Sequence, residues 1–280
     1  MDRLFVVNKP LFCSSNYFLR QIKKKYKSKK AGFSGTLDPF AKGCLIVAFG
    51  KYTKLFRYLS KTPKKYQATI WLGVSSQSFD IENIDFIDKN PKKLDTDDIK
   101  AKLKNLVGDI SYTPPKYSAK NIDGKRAYQK ARDGEVFKLK EITSTIYETN
   151  FISYNHPFIT FDIVVTEGSY IRSLAQVLLN NLNTTGTLSY LERLYEGKFS
   201  FKDEKALDPL KHIDIKDIKY SGEKLSIQQG KKIDIKQLSY CQDGIYKIVF
   251  DDFFTIIKIE DEKVSYEINS IYIKGEKDVR

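Results

Sequence analysis

Gly32-Phe33-Ser34-Gly35-Thr36-Leu37-Asp38-Pro39-Phe40-Ala41-Lys42-Gly43 runs without a break into Cys44-Leu45-Ile46-Val47-Ala48-Phe49. The first run carries three glycines, a proline and one acid, the composition of turns and loops. The second is apolar and has the length of a buried strand. Together they predict a loop that feeds a sheet, with Asp38 near the strand's entry. Asp38 also stands nearly alone: residues 1–65 hold 16 Lys and Arg against Asp2 and Asp38. A carboxylate so surrounded is favoured in its charged form, which suits a nucleophile that must be ionised. From spacing alone, an Asp-Pro pair is as readily an ordinary turn.

The 280-residue chain is 41% hydrophobic and 30% charged, enough for one large domain or a large and a small one. Its net charge of +13 is unevenly placed. Residues 1–65 carry +14, residues 66–221 hold 22 charges of each sign, and residues 222–280 carry −1. The positive field is thus concentrated on the segment that holds Asp38, which points to nucleic acid or another polyanion. Cys13, Cys44 and Cys241 are few and widely spaced, as expected of a reducing compartment without a disulfide framework. His156 and His212 are the only histidines. No zinc spacing, Walker motif or dinucleotide motif is present, so neither a metal nor an organic cofactor is expected. Without a signal-like or membrane-spanning run, a cytoplasmic location is expected.

Along the chain, Leu4–Val7 reads as a strand stopped by Lys9-Pro10. Ser14 or Ser15 can cap a helix to about Lys27, with Phe18, Ile22 and Tyr26 on one face. Lys23, Lys24, Lys25 and Lys27 crowd the other side and continue into Lys29 and Lys30. Such a face can simply be solvated; beside a loop that must meet a polyanion, it reads better as an arm that tracks phosphates. A helix is predicted over Tyr52–Leu59 and a strand over Lys65–Gly73. Residues 75–95 are polar and acidic and read as a mobile insertion. A helix is expected over Asp97–Val107 and an alternating strand around Ile159–Val165. Gly168-Ser169-Tyr170 turns into a helix with Ile171, Leu174, Ala175, Leu178 and Leu182 on one stripe. Arg172 lies in its first turn, the wrong end for a cation by helix-dipole logic, so an anionic partner is expected. Tyr246–Phe250 and Phe253–Ile257 read as short strands.

The opening stretch closely resembles the GHxGTLDPxAxG signature of the TruB-type pseudouridine synthases. Further motifs follow in that family's order. Pro115-Lys116-Tyr117-Ser118-Ala119 with Gly124, Tyr128 and Ala131-Arg132-Asp133-Gly134 is one. Gly168-Ser169-Tyr170-Ile171-Arg172-Ser173-Leu174 and Leu191-Glu192-Arg193-Leu194 are the others. The resemblance spans roughly residues 3–200. It implies an α/β fold of the α+β kind: a mixed, largely antiparallel sheet with flanking helices and a central RNA-binding cleft. It implies a catalytic domain over 1–215 and a small, PUA-like β-rich domain over 222–280.

The activity implied is isomerisation of uridine 55 in the T loop of tRNA to pseudouridine by a monomer with no cofactor. Asp38 would be the nucleophile, Arg172 its charge partner, and Tyr66 the ring that stacks on the flipped base. Leu191 would line the pocket under the base. Lys9 and Pro10 would buttress the pocket, and Gly35, Thr36 and Tyr170 belong to its motifs. Without the resemblance, Tyr66 reads as a core aromatic and Lys9 as surface charge. Phe33 departs from the family's histidine: it either stacks in the gap left by the flipped base or packs as core. A non-catalytic RNA-binding protein or tRNA-folding chaperone on the same scaffold would use the cationic third equally well. It would leave Asp38, Tyr66 and Arg172 at family positions unexplained.

Overall fold

The computed structural model describes residues 2–118, 120–122 and 124–273. Ala119 of the Tyr-Ser-Ala motif and residues 274–280 lie outside the described residues. A nine-stranded sheet forms the body. Its strands are β1 (Arg3–Lys9), β2 (Ala31–Ser34), β3 (Lys42–Phe49), β4 (Lys64–Leu72), β5 (Gly108–Tyr112), β6 (Ile142–Asn155), β7 (Phe158–Val165), β8 (Gly186–Glu196) and β9 (Phe199–Ser200). The order is β1-β3-β8-β4-β7-β6-β5, with β2 added to β3 and β9 to β8. Every pairing is antiparallel except β8 with β3, which touch only at Glu192↔Lys42 and Arg193↔Gly43.

That short contact is a seam. One edge of β3 is covered by β1 along its length. The other is shared: β2 takes Ile46–Phe49 and β8 takes Lys42 and Gly43. The loop carrying Asp38 leaves the sheet between these two partners. Part of the stretch read as loop is therefore strand, because Ala31–Ser34 finds a free edge on β3. Gly43 is required at the seam: its φ is +112° and a Cβ there would lie 2.3 Å from the Arg193 carbonyl oxygen.

The alternation in β4 places Tyr66, Ala68, Ile70 and Leu72 inward, as its sequence requires. Helices cover the inner face. In α1 (Ser15–Lys25), Ser14 accepts from the Tyr17 amide as N-cap. The helix ends where Lys27 turns to φ 50°, with the Ser28 amide bonded back to Lys23. Ile22, Phe18 and Tyr26 pack against Phe5, Val7, Leu45, Val47 and Phe49. Helix α2 (Thr96–Lys104) is capped by Asp95. After the short α3 (Ala127–Arg132), helix α4 (Ile171–Asn181) buries Ile171, Leu174, Ala175 and Leu178 against β4 and β8. Each buried Ile or Leu among them contributes about 1.5–3 kcal/mol. The helix expected at 52–59 is instead a 3₁₀ helix, Gly50–Arg57.

A second sheet contains β10 (Lys216–Asp217), β11 (Gly244–Val249), β12 (Phe253–Glu260) and β13 (Lys263–Tyr272). It is fused to the body. Phe254, Ile256, Ile268 and Ile271 share a core with Leu4, Val6, Cys44, Ile46 and Ala48. Tyr58 donates to Glu267, and Tyr52 to the Tyr272 carbonyl.

Residues 75–95 are not a loose insertion throughout. Val74–Ser76 pairs with Ile84–Ile87. Between them Ser78 and Asp80 are 1% exposed.

Candidate active site

Asp38 sits at a cavity of about 410 Å³, its side chain one-third exposed. Its loop is tied down on both sides of the carboxylate. Ser15 Oγ, at the start of α1, donates to the Leu37 carbonyl at 2.9 Å and accepts from the Leu37 amide at 3.0 Å. The Cys13 amide donates to the Pro39 carbonyl at 3.2 Å. Lys9 is fully buried and donates to the carbonyls of Pro10, Cys13 and Pro39. It is therefore not surface charge: its ammonium staples residues 10–13 to the chain beside Asp38. Burial lowers its pKa to about 8. Leu37 and Phe40, 3% and 1% exposed, anchor the loop in the core.

Arg172 supplies the expected partner and more. Its Nε forms an ion pair with Asp38 Oδ2 at 2.9 Å. Nη1 donates to the Ser78 carbonyl at 2.7 Å and to Asp80 Oδ2 at 3.1 Å, and Nη2 to the Tyr117 carbonyl at 2.8 Å. A guanidinium held on two carboxylates and two carbonyls has one orientation, which only a planar fork of donors can satisfy. Asp80 is itself fixed by Ser78 Oγ (2.6 Å) and the Glu82 amide (3.0 Å). Burial raises the Asp80 pKa, while Arg172, Ser78 and the Glu82 amide pull it down. Helix α4 is positioned in turn by Tyr112, whose hydroxyl accepts from the Tyr170 amide at 2.9 Å, and by Ser173 donating to the Thr113 carbonyl.

Gly35, Thr36, Asp38, Tyr66, Tyr170, Arg172 and Leu191 all line the cavity. Tyr66 is 7% and Leu191 5% exposed. Tyr66 stands directly across the ladder from Arg193, and Leu191 across from Ala68. Burial raises the Tyr170 pKa.

The structure does not bring Phe33 there. It pairs with Val47 and packs, half-buried, against the α1-facing core of Phe5, Ile22 and Phe49. Nor do Lys9 and Pro10 line the cavity; Lys9 acts from behind. Lys24, Lys27, Lys29 and Lys30 are exposed and Lys23 is half-buried. Lys25 is exposed as well, and its ammonium pairs at 2.7 Å with Glu204, which also accepts from Tyr26.

Sequence reasoning missed Asp80 and a buried charge network beneath the loop. Arg193, 1% exposed, donates through Nε to the Cys44 carbonyl and through Nη2 to the Gly35 carbonyl, both at 2.8 Å. Nη2 also lies 3.3 Å from Glu196, which is fully buried. Lys64 meets Glu196 at 3.2 Å. Lys64, Lys120, Arg126, Arg172 and Arg193 line the cavity against Asp38 and Glu167, a cationic setting for a polyanion. Among the described residues, no three His, Cys, Asp or Glu side chains gather as metal ligands, and no helix is long and apolar enough to cross a membrane.

Residues 23–171 match the family model of the TruB family pseudouridylate synthases (N terminal domain). The chain belongs to the TruB family of pseudouridine synthases. It is therefore an isomerase. The tRNA pseudouridine synthase B of a Nitratiruptor species is 54% identical over 271 residues, covering 97% of this chain and 98% of the relative. A Campylobacter jejuni tRNA pseudouridine synthase B is 48% identical over the same length, covering 97% and 99%. A chain of the solved Cbf5-Nop10-Gar1 complex superposes with a TM-score of 0.66 at 18% identity, covering 97% of this chain and 84% of that one. That likeness shows the same α+β fold.

Proposed function

We propose that this TruB-family enzyme converts uridine 55 in the T loop of tRNA to pseudouridine, with Asp38 as nucleophile. The observation that carries the assignment is a part-exposed carboxylate aimed into a 410 Å³ cavity by a buried guanidinium. Arg172 pairs with Oδ2, and one-third of the Asp38 side chain stays exposed. Asp38 is thus oriented and still available to react.

The target uridine must leave its stack to reach such a cavity. Asp38 attacks C1′, and the N1–C1′ bond breaks with its electrons leaving on the uracil. The base turns so that C5 faces the sugar. C5 then bonds C1′ and the carboxylate departs. Tyr66, stacked on the base, helps remove the C5 proton, and N1 takes one up, so the reaction is a net isomerisation. Leu191 supports the opposite side of the base. No step needs a cofactor, and every group used comes from one chain, so a monomer suffices. The exposed lysines at and just after the end of α1, Lys24, Lys27, Lys29 and Lys30, track the RNA backbone. Residues 1–215 are the catalytic unit. The C-terminal sheet is a small β-rich module of PUA-like type, and the enzyme works in the cytoplasm where tRNA matures.

The test is mass-spectrometric detection of pseudouridine in a T-arm transcript, comparing wild type with Asp38→Asn. The variant should form no product while keeping RNA affinity within about tenfold, roughly 1.4 kcal/mol. Substantial turnover by Asp38→Asn would sink the assignment.

A further inference from the structure

One side of the cavity lip carries a charge arrangement that the reaction above does not use. Lys61 and Lys64, just before and at the start of β4, converge on one oxygen of Glu167, at 3.1 and 3.6 Å. The lysine side chains are 16% and 6% exposed, whereas Glu167 is 46% exposed. Lys64 and Glu167 both line the cavity that holds Asp38. The next residue, Gly168, has φ +88°, and a Cβ there would meet no atom within 4 Å. The lip is open at that point.

The cluster does not need Glu167 for its own stability. Lys64 is balanced by the buried Glu196, which also meets Arg193. If Glu167 swings away, Lys64, the more deeply buried of the two lysines, keeps Glu196 and is not left unpaired, the event that makes buried pairs costly to break. Only Lys61, at the edge, would then give up its ion pair. Two ammonium groups fixed by burial and aimed at one anionic oxygen have the donor geometry of a phosphate site. A nucleotide whose base stacks on Tyr66, with its C1′ at Asp38, must carry its phosphates out over the cavity lip.

We propose that Lys61 and Lys64 seat a phosphodiester of the RNA substrate, and that Glu167 fills this seat in the free enzyme and must be displaced. The inference rests on the RNA-isomerising reading above. It makes Glu167 a brake on binding: it neutralises the seat before RNA arrives and repels the phosphate that replaces it. The exchange substitutes one anion for another, so only nucleic acid held at several other contacts displaces it. Weakly held polyanions do not.

The experiment measures T-arm RNA affinity against salt for wild type, Glu167→Gln, Lys61→Met and the double variant, with melting temperatures alongside. Glu167→Gln should tighten binding about three- to fivefold near 0.1 M salt, the range of an exposed ion pair, and steepen the salt dependence. Lys61→Met should weaken binding and flatten the slope by about 0.7–0.9, one phosphate contact. In the Lys61→Met background the gain from Glu167→Gln should shrink to less than half. An undiminished gain there would mean that Glu167 acts only as diffuse charge, and the seat would be wrong. No gain in affinity, or a lowered melting temperature with unchanged affinity per folded molecule, would make Glu167 a structural clamp and also overturn the proposal. Pseudouridine formation by wild type is scored on the same RNA. Binding without product would count against the isomerase reading alone, and product without the coupling against the seat alone.

Discussion

Asp80→Asn separates aiming from folding at the centre of the site. The substitution keeps shape and removes one acceptor. In the native protein Oδ2 accepts from Arg172, while Oδ1 accepts from Ser78 Oγ and the Glu82 amide. A carboxamide has one oxygen, so in either orientation its NH₂ faces a donor: the Arg172 guanidinium or the Glu82 amide. One buried hydrogen bond is lost, at about 1–3 kcal/mol. The ~3–5 kcal/mol typical of a broken buried ion pair does not apply in full, because Arg172 keeps Asp38 and the carbonyls of Ser78 and Tyr117. A stability loss of about 2 kcal/mol is expected, read as a urea midpoint shift at unchanged slope. The larger effect falls on chemistry. Without the second carboxylate, nothing of opposite charge draws Nη1 away from Asp38, and the guanidinium can rotate about Nε. A misplacement near 1 Å at a reacting group costs up to about 100-fold, so the single-turnover rate at saturating enzyme should fall about 10- to 100-fold. RNA affinity should be nearly unchanged. A wild-type single-turnover rate in a destabilised Asp80→Asn protein would refute the reasoning and leave Asp80 a fold element.

Lys9 gives a pH test. Its folded-state pKa is near 8, below the ordinary 10.5. Between these values the unfolded chain holds a proton that the folded chain has lost, so this group makes stability rise with pH there. Wild type should gain up to about 3 kcal/mol over Lys9→Met between pH 8 and 10.5, and urea curves at pH 7 to 10 should show a flat difference if burial carries no such cost. Phe33→Ala should lower the melting temperature, by less than the ~3–5 kcal/mol of a fully buried phenylalanine, with RNA affinity per folded molecule unchanged. A loss of affinity without loss of stability would favour the stacking role instead. Replacing Lys24, Lys27, Lys29 and Lys30 with Gln should flatten the salt dependence of RNA binding, by up to about 0.7–0.9 for each phosphate no longer neutralised. Lys25→Gln should leave that slope alone and cost stability instead, because Lys25 is paired with Glu204.

The parts of the site that were legible in sequence are those whose chemistry is local. The turn residues around Asp38, the period-two pattern of β4 and the misplaced cation Arg172 each announce themselves within a few residues. Asp80 did not, because residues 75–95 look polar and solvent-facing as a block. A signal was present: Val74, Ser76, Ser78 and Asp80 are buried at every second position, a strand period written in small hydroxyl residues rather than apolar ones. Ser76 bonds Ser78, Ser78 bonds Asp80, and Asp80 and the Ser78 carbonyl hold Arg172, so these three positions serve hydrogen bonds rather than hydrophobic contact. Glu196, and the burial of Lys9, were missed for another reason. Glu196 is paired by Lys64, distant in sequence, and Lys9 is enclosed by the carbonyls of Pro10 and Cys13 together with that of the distant Pro39. A charge looks exposed in a sequence until the fold brings its counter-charge or its carbonyls. The β2 strand was hidden because its glycine-rich composition argues for a loop, and only the free edge of β3 makes it a strand.

The core shared by the two sheets has a consequence for how the enzyme is made. Leu4, Val6, Cys44, Ile46 and Ala48 are sealed by Phe254, Ile256, Ile268 and Ile271. At roughly 5–20 residues per second of synthesis, these partners emerge some 10–50 s after the first strand. Until then the apolar face of β1 and β3, which carry the Asp38 loop, is covered only in part, by Tyr52, Leu55, Leu59, Phe199 and Ile213. The nucleophile is thus mounted on the part of the protein that matures last, although it is among the first parts translated. Ribosome stalling or truncation before residue 254 would leave a chain with Asp38, Tyr66 and Arg172 all present and no finished platform to hold them, and that unsealed face is where a holding chaperone would bind.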